Sequence, residues 1–154
     1  MLKQTRETRT RRGGPGGQHR NKTETAVVLV HGPTGVSAEG SERRSQAENR
    51  RVALKRLRLR LALAHREPAG MQMSECWRSR VRGRHVVISA SHEEYPTLVA
   101  EALDHLQAHG FEIPTTADKL GVTGTQLVGL FRKDPAAWVA LNKHRHALGL
   151  PTLT

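Results

Sequence analysis

The chain has 154 residues, enough for one ordinary domain or two small ones. It carries 25 Lys and Arg against 14 Asp and Glu, a formal net charge of +11, and residues 1–67 alone hold +10 of that charge. Such a balance favours a polyanionic partner, above all nucleic acid, for the N-terminal half. There is no stretch of about 18 apolar residues and no apolar leader, so we expect a cytoplasmic protein without a membrane partner. The single Cys76 excludes an internal disulfide framework and a cysteine-rich zinc site.

The N-terminal half predicts a small antiparallel sheet. Residues 3–10 alternate long polar side chains with Thr, which favours an extended segment at a sheet edge. Residues 24–31 are β-branched and apolar and predict a strand. The Gly-Pro-Thr-Gly turn at 32–35 then returns the chain as a second strand over 36–40, which makes a hairpin.

A long basic helix is predicted to follow and to pack on this sheet. Ser45 and Glu48 form a capping-box pair, and neither Gly nor Pro interrupts the run until Pro68. Helical spacing separates two faces: the apolar one holds Leu54, Leu57, Leu61 and Ala64, and the basic one holds Arg51, Lys55 and Arg58.

After the break at Pro68-Ala69-Gly70, residues 71–154 predict a mostly helical extension, nearly neutral in charge. The expected elements are a short strand at 85–89, a helix over 93–109, a helix–turn–helix-like segment at 115–131 around Thr-Gly-Thr, and a last helix over 135–147. The fold class is therefore α+β, with one domain over 1–67 and a second over 71–154.

Residues 12–17, Arg-Gly-Gly-Pro-Gly-Gly, cannot form the interior of a helix or strand and predict a loop. A nucleotide-binding P-loop is one interpretation. The spacing argues against it, because Gly16 is followed by Asn21-Lys22-Thr23 without the required second glycine. The segment that follows also predicts a strand, where a P-loop opens a helix.

The run from Gly13 to Val27 resembles the peptidyl-hydrolase domain of class I peptide chain release factors. That family carries Gly-Gly-Gln and His, then a variable residue, Asn, and Lys or Thr. A strand, a Pro-Thr-Gly turn, a second strand and a polar helix start follow. The matching residues, in register over about residues 10–65, are Gly16-Gly17-Gln18-His19, Asn21-Lys22-Thr23, Pro33-Thr34-Gly35, Glu42-Arg43-Arg44-Ser45-Gln46 and Asn49.

The resemblance implies hydrolysis of the peptidyl-tRNA ester on the ribosome, without cofactor or metal. Gly16 and Gly17 would supply the backbone geometry. The backbone N–H of Gln18 would stabilise negative charge in the transition state, while its side chain places the water. The implied partners are the large-subunit ribosomal RNA at the peptidyl transferase centre, peptidyl-tRNA, and a release-factor glutamine methyltransferase that modifies Gln18 at N5.

By the same resemblance, residues after the glutamine contact ribosomal RNA. Arg20 departs from the small apolar residue usual there. The cations of the long helix have few acids beside them, which favours phosphate contact over a merely solvated face. The candidate RNA-binding residues are His19, Arg20, Asn21, Lys22, Arg43, Arg44, Arg50, Arg51, Lys55 and Arg58.

Class I release factors carry further domains that read stop codons, and the few residues before residue 10 cannot hold one. We therefore expect a codon-independent hydrolase, of the kind that rescues stalled ribosomes, with a monomer as the default. The alternative is a non-catalytic ribosome- or RNA-binding module. In that module the segment 115–131 would bind RNA or DNA; a DNA-binding regulator is the weakest form of this idea. Binding would map to residues 115–133, but the charges in and beside this segment nearly cancel, which favours a packed helical hairpin: Lys119, Arg132 and Lys133 against Asp118 and Asp134.

Two further residue sets in the C-terminal half admit more than one interpretation. His105 and His109 have the spacing of a metal pair, but without a third ligand nearby a surface helix face is favoured. Trp77, flanked by Arg78 and Arg80, is predicted to be a packing residue, with RNA contact as the alternative.

Overall fold

A computed structural model of the chain describes residues 4–10, 25–70 and 72–154. The chain divides into two compact units, Met1–Leu61 (unit 1) and Ala62–Thr154 (unit 2). Strands form small antiparallel sheets in both units and six helices are present in the described ranges, so the predicted α+β class is confirmed. The units divide upstream of Pro68, and the two-domain assignment stays a prediction. None of the described helices has the length and apolarity needed to cross a membrane.

Unit 1 contains a three-stranded antiparallel sheet in the order β1-β2-β3, formed by β1 (Thr5–Thr10), β2 (Ala26–His31) and β3 (Ser37–Gly40). The central strand β2 is the apolar one, and its Val27 and Leu29 are buried in the core of the unit. The polar strand β1 lies at an edge, as predicted. The register pairs Thr10 with Ala26 and Leu29 with Ala38.

The turn between β2 and β3 follows from its glycine. Gly35 has a φ of +67°, a conformation that residues with a side chain rarely adopt. Its N–H donates to the carbonyl of His31 at 2.8 Å, and the N–H of His31 donates to the carbonyl of Val36 at 2.8 Å. The hairpin is thereby closed at the predicted position.

The helix α1 (Gln46–Ala64) begins where the capping pair predicts, since Ser45 Oγ accepts a hydrogen bond from the N–H of Glu48 at 3.4 Å. Leu54 and Leu61 are half-buried against the core. Ala64 is exposed, so its place in the predicted apolar face is wrong. The fully or nearly fully buried residues of the unit 1 core are Val27, Leu29, Ala38, Ala53 and Leu57.

Unit 2 is mostly helical. Its strands pair as a short hairpin around Gly83, whose φ is +58°, so the predicted strand over 85–89 is two residues long. The elements are α2 (Glu75–Arg80), β4 (Val81–Arg82), β5 (His85–Val86), α3 (Tyr95–Ala108), α4 (Ile113–Lys119), α5 (Gly124–Arg132) and α6 (Pro135–Ala147).

The two helices predicted within 115–131 are present, but the turn that joins them lies earlier than predicted. Gly121 has a φ of +65° and ends α4. Thr123 is the N-cap of α5, and its Oγ1 accepts from the N–H of Gln126 at 3.2 Å. Gly124 and Thr125 are therefore helical, and only the first residue of Thr-Gly-Thr belongs to the turn.

Two side chains of unit 2 are more deeply buried than their sequence context indicates. Trp77 has 0% exposure, and its Nε1 donates to the carbonyl of Leu120 at 2.9 Å, so it packs in the core and the RNA-contact alternative is wrong. His105 is only 6% exposed, so the predicted surface face is wrong for this residue.

Candidate functional site

The predicted catalytic residues lie outside the described residues, but the strands that flank them are defined. These residues are Gly16, Gly17 and Gln18, with the neighbouring predicted RNA contacts His19, Arg20, Asn21 and Lys22. Strand β1 ends at Thr10, β2 begins at Ala26, and these two residues are paired in the antiparallel register. The Gly-Gly-Gln run therefore belongs to the connection between two adjacent strand ends.

Asn49 ties the end of this connection to the long helix. The side chain has 0% exposure, and its Nδ2 donates to the carbonyls of Thr25 at 2.7 Å and Arg43 at 2.9 Å. Its Oδ1 accepts from the N–H of Arg43 at 2.8 Å. A buried amide whose two donors and oxygen are all used is a strong local constraint. Sequence reasoning found Asn49 only through the resemblance, because its partners are backbone groups that carry no sequence signal.

Gly40 allows the third strand to approach the helix at the same place. A Cβ built on Gly40 would lie 2.1 Å from the carbonyl oxygen of Asn49 and 3.0 Å from the backbone nitrogen of Ala53. No side chain larger than hydrogen fits this gap. The end of β3 and the first turns of α1 are thus in direct backbone contact beside the Asn49 hydrogen bonds.

Half of the cations of α1 have partners on the sheet or just after it. Arg50 Nε donates to Glu7 Oε2 on β1 at 2.8 Å. Arg56 Nη1 donates to the carbonyl of Glu39 at 2.8 Å and lies 2.6 Å from Glu42 Oε1, while Arg60 donates to the carbonyl of Ser37. The helix itself lacks acids after Glu48, and the sequence therefore predicts that its cations are unpaired. The structure differs for these three arginines, because the sheet and the segment after it supply their acceptors.

Arg56 also controls the ionisation of Glu42. Its hydrogen bond to the carboxylate, together with the backbone N–H of Ser41, lowers the pKa of Glu42 from 4.5 to about 2. The carboxylate therefore stays ionised and engaged with Arg56.

The remaining cations form one largely exposed basic face on α1, defined by the exposed Arg51 and Lys55 and the half-buried Arg58. They recur at i, i+4 and i+7 and lie opposite the buried Ala53 and Leu57. In the described part of the chain none of these three side chains has a hydrogen bond or ion pair. Like charges at this spacing repel one another, so the face is set up to gain from a polyanion.

Arg43 and Arg44 also have exposed side chains, in the segment that leads into α1. The backbone of Arg43 is held by Asn49, which fixes where its side chain starts. Among the predicted RNA-contact residues that the structure describes, Arg50 is already paired with Glu7 of β1. The exposed ones are Arg43, Arg44, Arg51 and Lys55, with Arg58 half-buried. Their contact with RNA stays a prediction.

In unit 2, the two histidines stack but do not form a metal centre with a third ligand. The rings of His105 and His109 are 6.4 Å apart and nearly parallel, and burial lowers the pKa of His105. They line a cavity of about 540 Å³ together with Arg78 and Lys119. Within residues 4–10, 25–70 and 72–154, no cluster of three or more potential metal ligands occurs.

The sequence of the chain is similar to known proteins over the part that contains the sheet and the helix of unit 1. The RF-1 domain matches residues 2–94, which includes all of unit 1 after its first residue and the start of unit 2. The chain is 51% identical over 57 residues to the mitochondrial peptide chain release factor 1-like protein of Mus musculus. It is 44% identical over 71 residues to peptide chain release factor 1 of Symbiobacterium thermophilum and 46% identical over 72 residues to that of Kineococcus radiotolerans.

These three alignments cover 37%, 46% and 47% of the chain and only 15%, 20% and 20% of the respective relatives. The chain thus shares one segment with proteins that are much longer than that segment. The match to the RF-1 domain extends over more than half of the chain, from the first strand to the residue before α3. The chain therefore belongs to the RF-1 domain family, as a release-factor-like protein of the class I peptide chain release factors.

Proposed function

We propose that this protein hydrolyses the ester bond of peptidyl-tRNA on the ribosome without reading a stop codon, and so releases peptides from stalled ribosomes. The observation that carries the proposal is the RF-1 domain match over residues 2–94, which contains the Gly-Gly-Gln run. The codon-independent part of the proposal is tested by comparing substrates with and without a stop codon, as described below.

The proposed reaction is a hydrolytic acyl transfer. A water oxygen forms a bond with the ester carbonyl carbon, and the bond from that carbon to the ribose oxygen of the tRNA breaks. One water proton reaches the leaving ribose oxygen, and the peptide departs as a carboxylic acid. The backbone N–H of Gln18 donates to the developing negative charge, and loss of one such donor typically slows a reaction by about 100- to 1,000-fold. The side chain of Gln18 places the attacking water, and this is the role that Gln18→Ala removes, because alanine keeps the backbone N–H.

Position is the second requirement of this chemistry, because a misplaced donor loses most of its effect. The paired ends Thr10 and Ala26 and the bond from Asn49 to the Thr25 carbonyl support the proposal, since they fix the ends of the connection that carries the motif. In this proposal Asn49 is a positioning residue. It acts through the backbone and does not touch the substrate.

The exposed basic face of α1 supports binding to ribosomal RNA. Arg51, Lys55 and Arg58 have no acid to neutralise them among the described residues, and RNA phosphates would do so on the ribosome. Such contacts also raise the rate of association with a polyanionic particle. We propose ribosomal RNA of the large subunit and peptidyl-tRNA as the partners.

Modification of Gln18 at N5 by a release-factor glutamine methyltransferase belongs to the same proposal, and intact-mass analysis of the protein from its own cell tests it. The cytoplasmic location and the monomeric state remain predictions. One relative carries a mitochondrial name, which is a property of that protein.

The test is a peptide-release assay with labelled peptidyl-tRNA. Three substrates are compared: ribosomes on mRNA truncated at the P site, ribosomes with a stop codon in the A site, and isolated large subunits that carry peptidyl-tRNA. The variants are Gln18→Ala and Gly17→Ala. Gln107→Ala, the same change at an exposed position of α3, is the matched control.

We expect release from the truncated complex or the large subunit to be abolished in Gln18→Ala and Gly17→Ala and unchanged in Gln107→Ala, with ribosome binding retained in all three. Release only when a stop codon is present would contradict codon independence. Release that persists in both loop variants would contradict the catalytic assignment. Binding without any release would favour the alternative, a non-catalytic ribosome-binding module.

A further inference from the structure

We propose that unit 2 carries a second RNA-binding surface, formed by the β4–β5 hairpin and the outward face of α5, which binds the sugar-phosphate backbone of an RNA duplex. We call it the hairpin–α5 surface and define it by Arg82, Arg84, His85, Thr125, Gly129 and Arg132. The choice of RNA rests on the proposed function, because unit 1 would bring this surface to the ribosome.

The hairpin is fixed against the start of α5 by three hydrogen bonds. The N–H of Thr123 donates to the carbonyl of Arg84 at 3.2 Å, and the N–H of Val86 donates to Gln126 Oε1 at 3.2 Å. Arg84 Nη2 donates to the carbonyl of Val122 at 2.9 Å. The hairpin tip and the N-terminal turn of α5 therefore form one continuous surface with a defined shape.

Gly129 lies on the outward face of α5 between the exposed side chains of Thr125 and Arg132. Leu127, Leu130 and Phe131 are fully buried, which turns Thr125, Gly129 and Arg132 away from the core. Glycine is a poor residue for the interior of a helix. Yet a Cβ added to Gly129 would meet nothing within 4 Å, so no packing among the described residues requires a glycine there.

This arrangement has a simple explanation if another molecule approaches the helix backbone at Gly129. A residue without a side chain lets a phosphate and ribose come close, while Thr125 and Arg132 donate hydrogen bonds on either side. A glycine in the middle of α5 is thus explained if this face contacts another molecule. Contacts within unit 2 alone give it no role.

Cations outnumber acids in this region, which holds Arg82, Arg84, Lys119, Arg132 and Lys133 against Asp118 and Asp134. Asp134 is used as the N-cap of α6, where its Oδ1 accepts from the N–H of Ala136 at 2.8 Å. Asp118 and Arg84 form an ion pair at 2.7 Å, so these two charges offset each other, and α5 itself contains no acid. The cations left for a phosphate on this surface are therefore Arg82 and Arg132. Arg82 is exposed, with its guanidinium bonded only to the adjacent carbonyl of Val81 among the described residues.

Arg132 completes the cationic side of the surface. Its guanidinium stacks over the ring of Trp138 at 5.0 Å from the centroid, and its Nη2 donates to the carbonyl of Thr154. A stacked guanidinium keeps its charge and its free N–H groups for a phosphate, while the indole limits its motion.

The surface is suited to backbone contact rather than to base recognition. Reading bases in a groove needs several polar side chains along one helix face. Gln126, the natural candidate, is engaged by the backbone of Val86. Thr125 and Arg132 alone favour sequence-neutral contact, and duplex RNA is recognised mainly through its shape, phosphates and ribose hydroxyls.

The experiment uses the full chain with Arg51, Lys55 and Arg58 each changed to Glu, so that the basic face of unit 1 does not mask unit 2. Binding to a mixed-sequence RNA duplex of about 20 base pairs, and to DNA of the same sequence, is measured by fluorescence polarisation. In this background we compare Arg82→Glu, Gly129→Gln and Gly129→Ala. Lys143→Glu on α6 is the control for charge, because Lys143 is exposed and outside the surface.

We expect Arg82→Glu and Gly129→Gln to weaken RNA binding about 10-fold, Gly129→Ala to have a smaller effect, and Lys143→Glu to change it less than about 2-fold. Circular dichroism of Gly129→Ala and Gly129→Gln checks that α5 is intact. RNA binding that is insensitive to Arg82→Glu and Gly129→Gln would overturn the proposal. So would tighter binding to DNA, or no nucleic-acid binding at all, which would leave the surface to a protein partner. Peptide release by the otherwise unmodified chain, measured with Gln18→Ala, reports on the proposed function separately.

Discussion

The side-chain amide of Asn49 donates a 2.7 Å hydrogen bond to the backbone carbonyl of Thr25, at the point where the Gly-Gly-Gln connection joins β2. The same amide holds both backbone groups of Arg43. One buried side chain thus links the end of the proposed catalytic loop, the segment before α1 and the helix itself. The arrangement makes Asn49 the main fixed point of the proposed site.

Asn49→Ala removes these three hydrogen bonds and leaves buried backbone groups without partners. We expect a loss of about 2–4 kcal/mol in the free energy of unfolding of unit 1. We also expect slower peptide release at temperatures where the variant is fully folded, because the loop end has lost its anchor. Urea denaturation and the release assay measure the two effects. Asn142→Ala, which removes an amide bonded to Leu153 in unit 2, should leave release unchanged.

Gly40→Ala tests the close approach of β3 to α1. The added Cβ would lie 2.1 Å from the Asn49 carbonyl oxygen, which belongs to the backbone of a helix and cannot easily move. We expect unit 1 to lose about 2–3 kcal/mol of stability. Gly129→Ala is the matched control, since its Cβ meets nothing within 4 Å and the helix should gain about 0.5–1 kcal/mol. Equal melting temperatures for Gly40→Ala and the wild type would contradict the described packing.

Replacing Arg51, Lys55 and Arg58 together by Ala should weaken ribosome binding without unfolding unit 1, because none of the three has a partner among the described residues. The salt dependence of binding grows with the number of phosphates that the protein neutralises, so the slope of log K against log salt should fall by about 2–3. Arg56→Ala is the structural contrast. It removes the bonds to Glu39 and Glu42, so it should lower the melting temperature. It should change the salt slope less than the triple variant does.

The stability of unit 2 should depend on pH through His105. Burial lowers the pKa of this histidine below its ordinary value of 6.5, so the folded state favours the neutral ring. The unfolded state then binds more protons, and stability present above pH 6.5 is lost as pH falls toward the lower folded pKa.

Melting curves of unit 2 between pH 7.5 and 5, chosen to span the ordinary histidine pKa of about 6.5, check this expectation. His105→Gln should flatten the pH dependence. His144, whose pKa burial also lowers, should account for part of what remains. The exposed His146→Gln is the control. A wild-type curve that is flat across this range would contradict the buried, neutral state of His105.

Patterns local in sequence predicted the elements of unit 1 well. The alternation of β1, the apolar run of β2 and the Ser45–Glu48 cap each depend on a few neighbouring residues, and each is present in the structure. Long-range contacts were beyond such reasoning. The acceptors of Arg56 and Arg60 are carbonyls of β3, which no residue type can reveal.

The same limit explains the differences in unit 2. The sequence predicts the turn within 115–131 at Thr-Gly-Thr. In the structure the turn lies at Gly121, whose positive φ ends α4. His105 has the spacing of a surface pair, and only the packing of α3 against its neighbours buries it. The candidate site divides similarly: the Gly-Gly-Gln run was visible in the sequence, whereas the anchoring by Asn49 and the gap at Gly40 required coordinates.

The cores of the two units are unequal. Among the described residues, the apolar cluster of unit 1 holds five buried side chains, whereas unit 2 encloses Trp77, Tyr95, Phe131 and a series of leucines. Local opening of a smaller core requires less free energy, so backbone amides of β2 should exchange with deuterium before those of α3 and α5. On warming, the hydrogen bonds that anchor the Gly-Gly-Gln connection would then open while unit 2 stays folded, and peptide release would be lost at a lower temperature than the helical structure of unit 2.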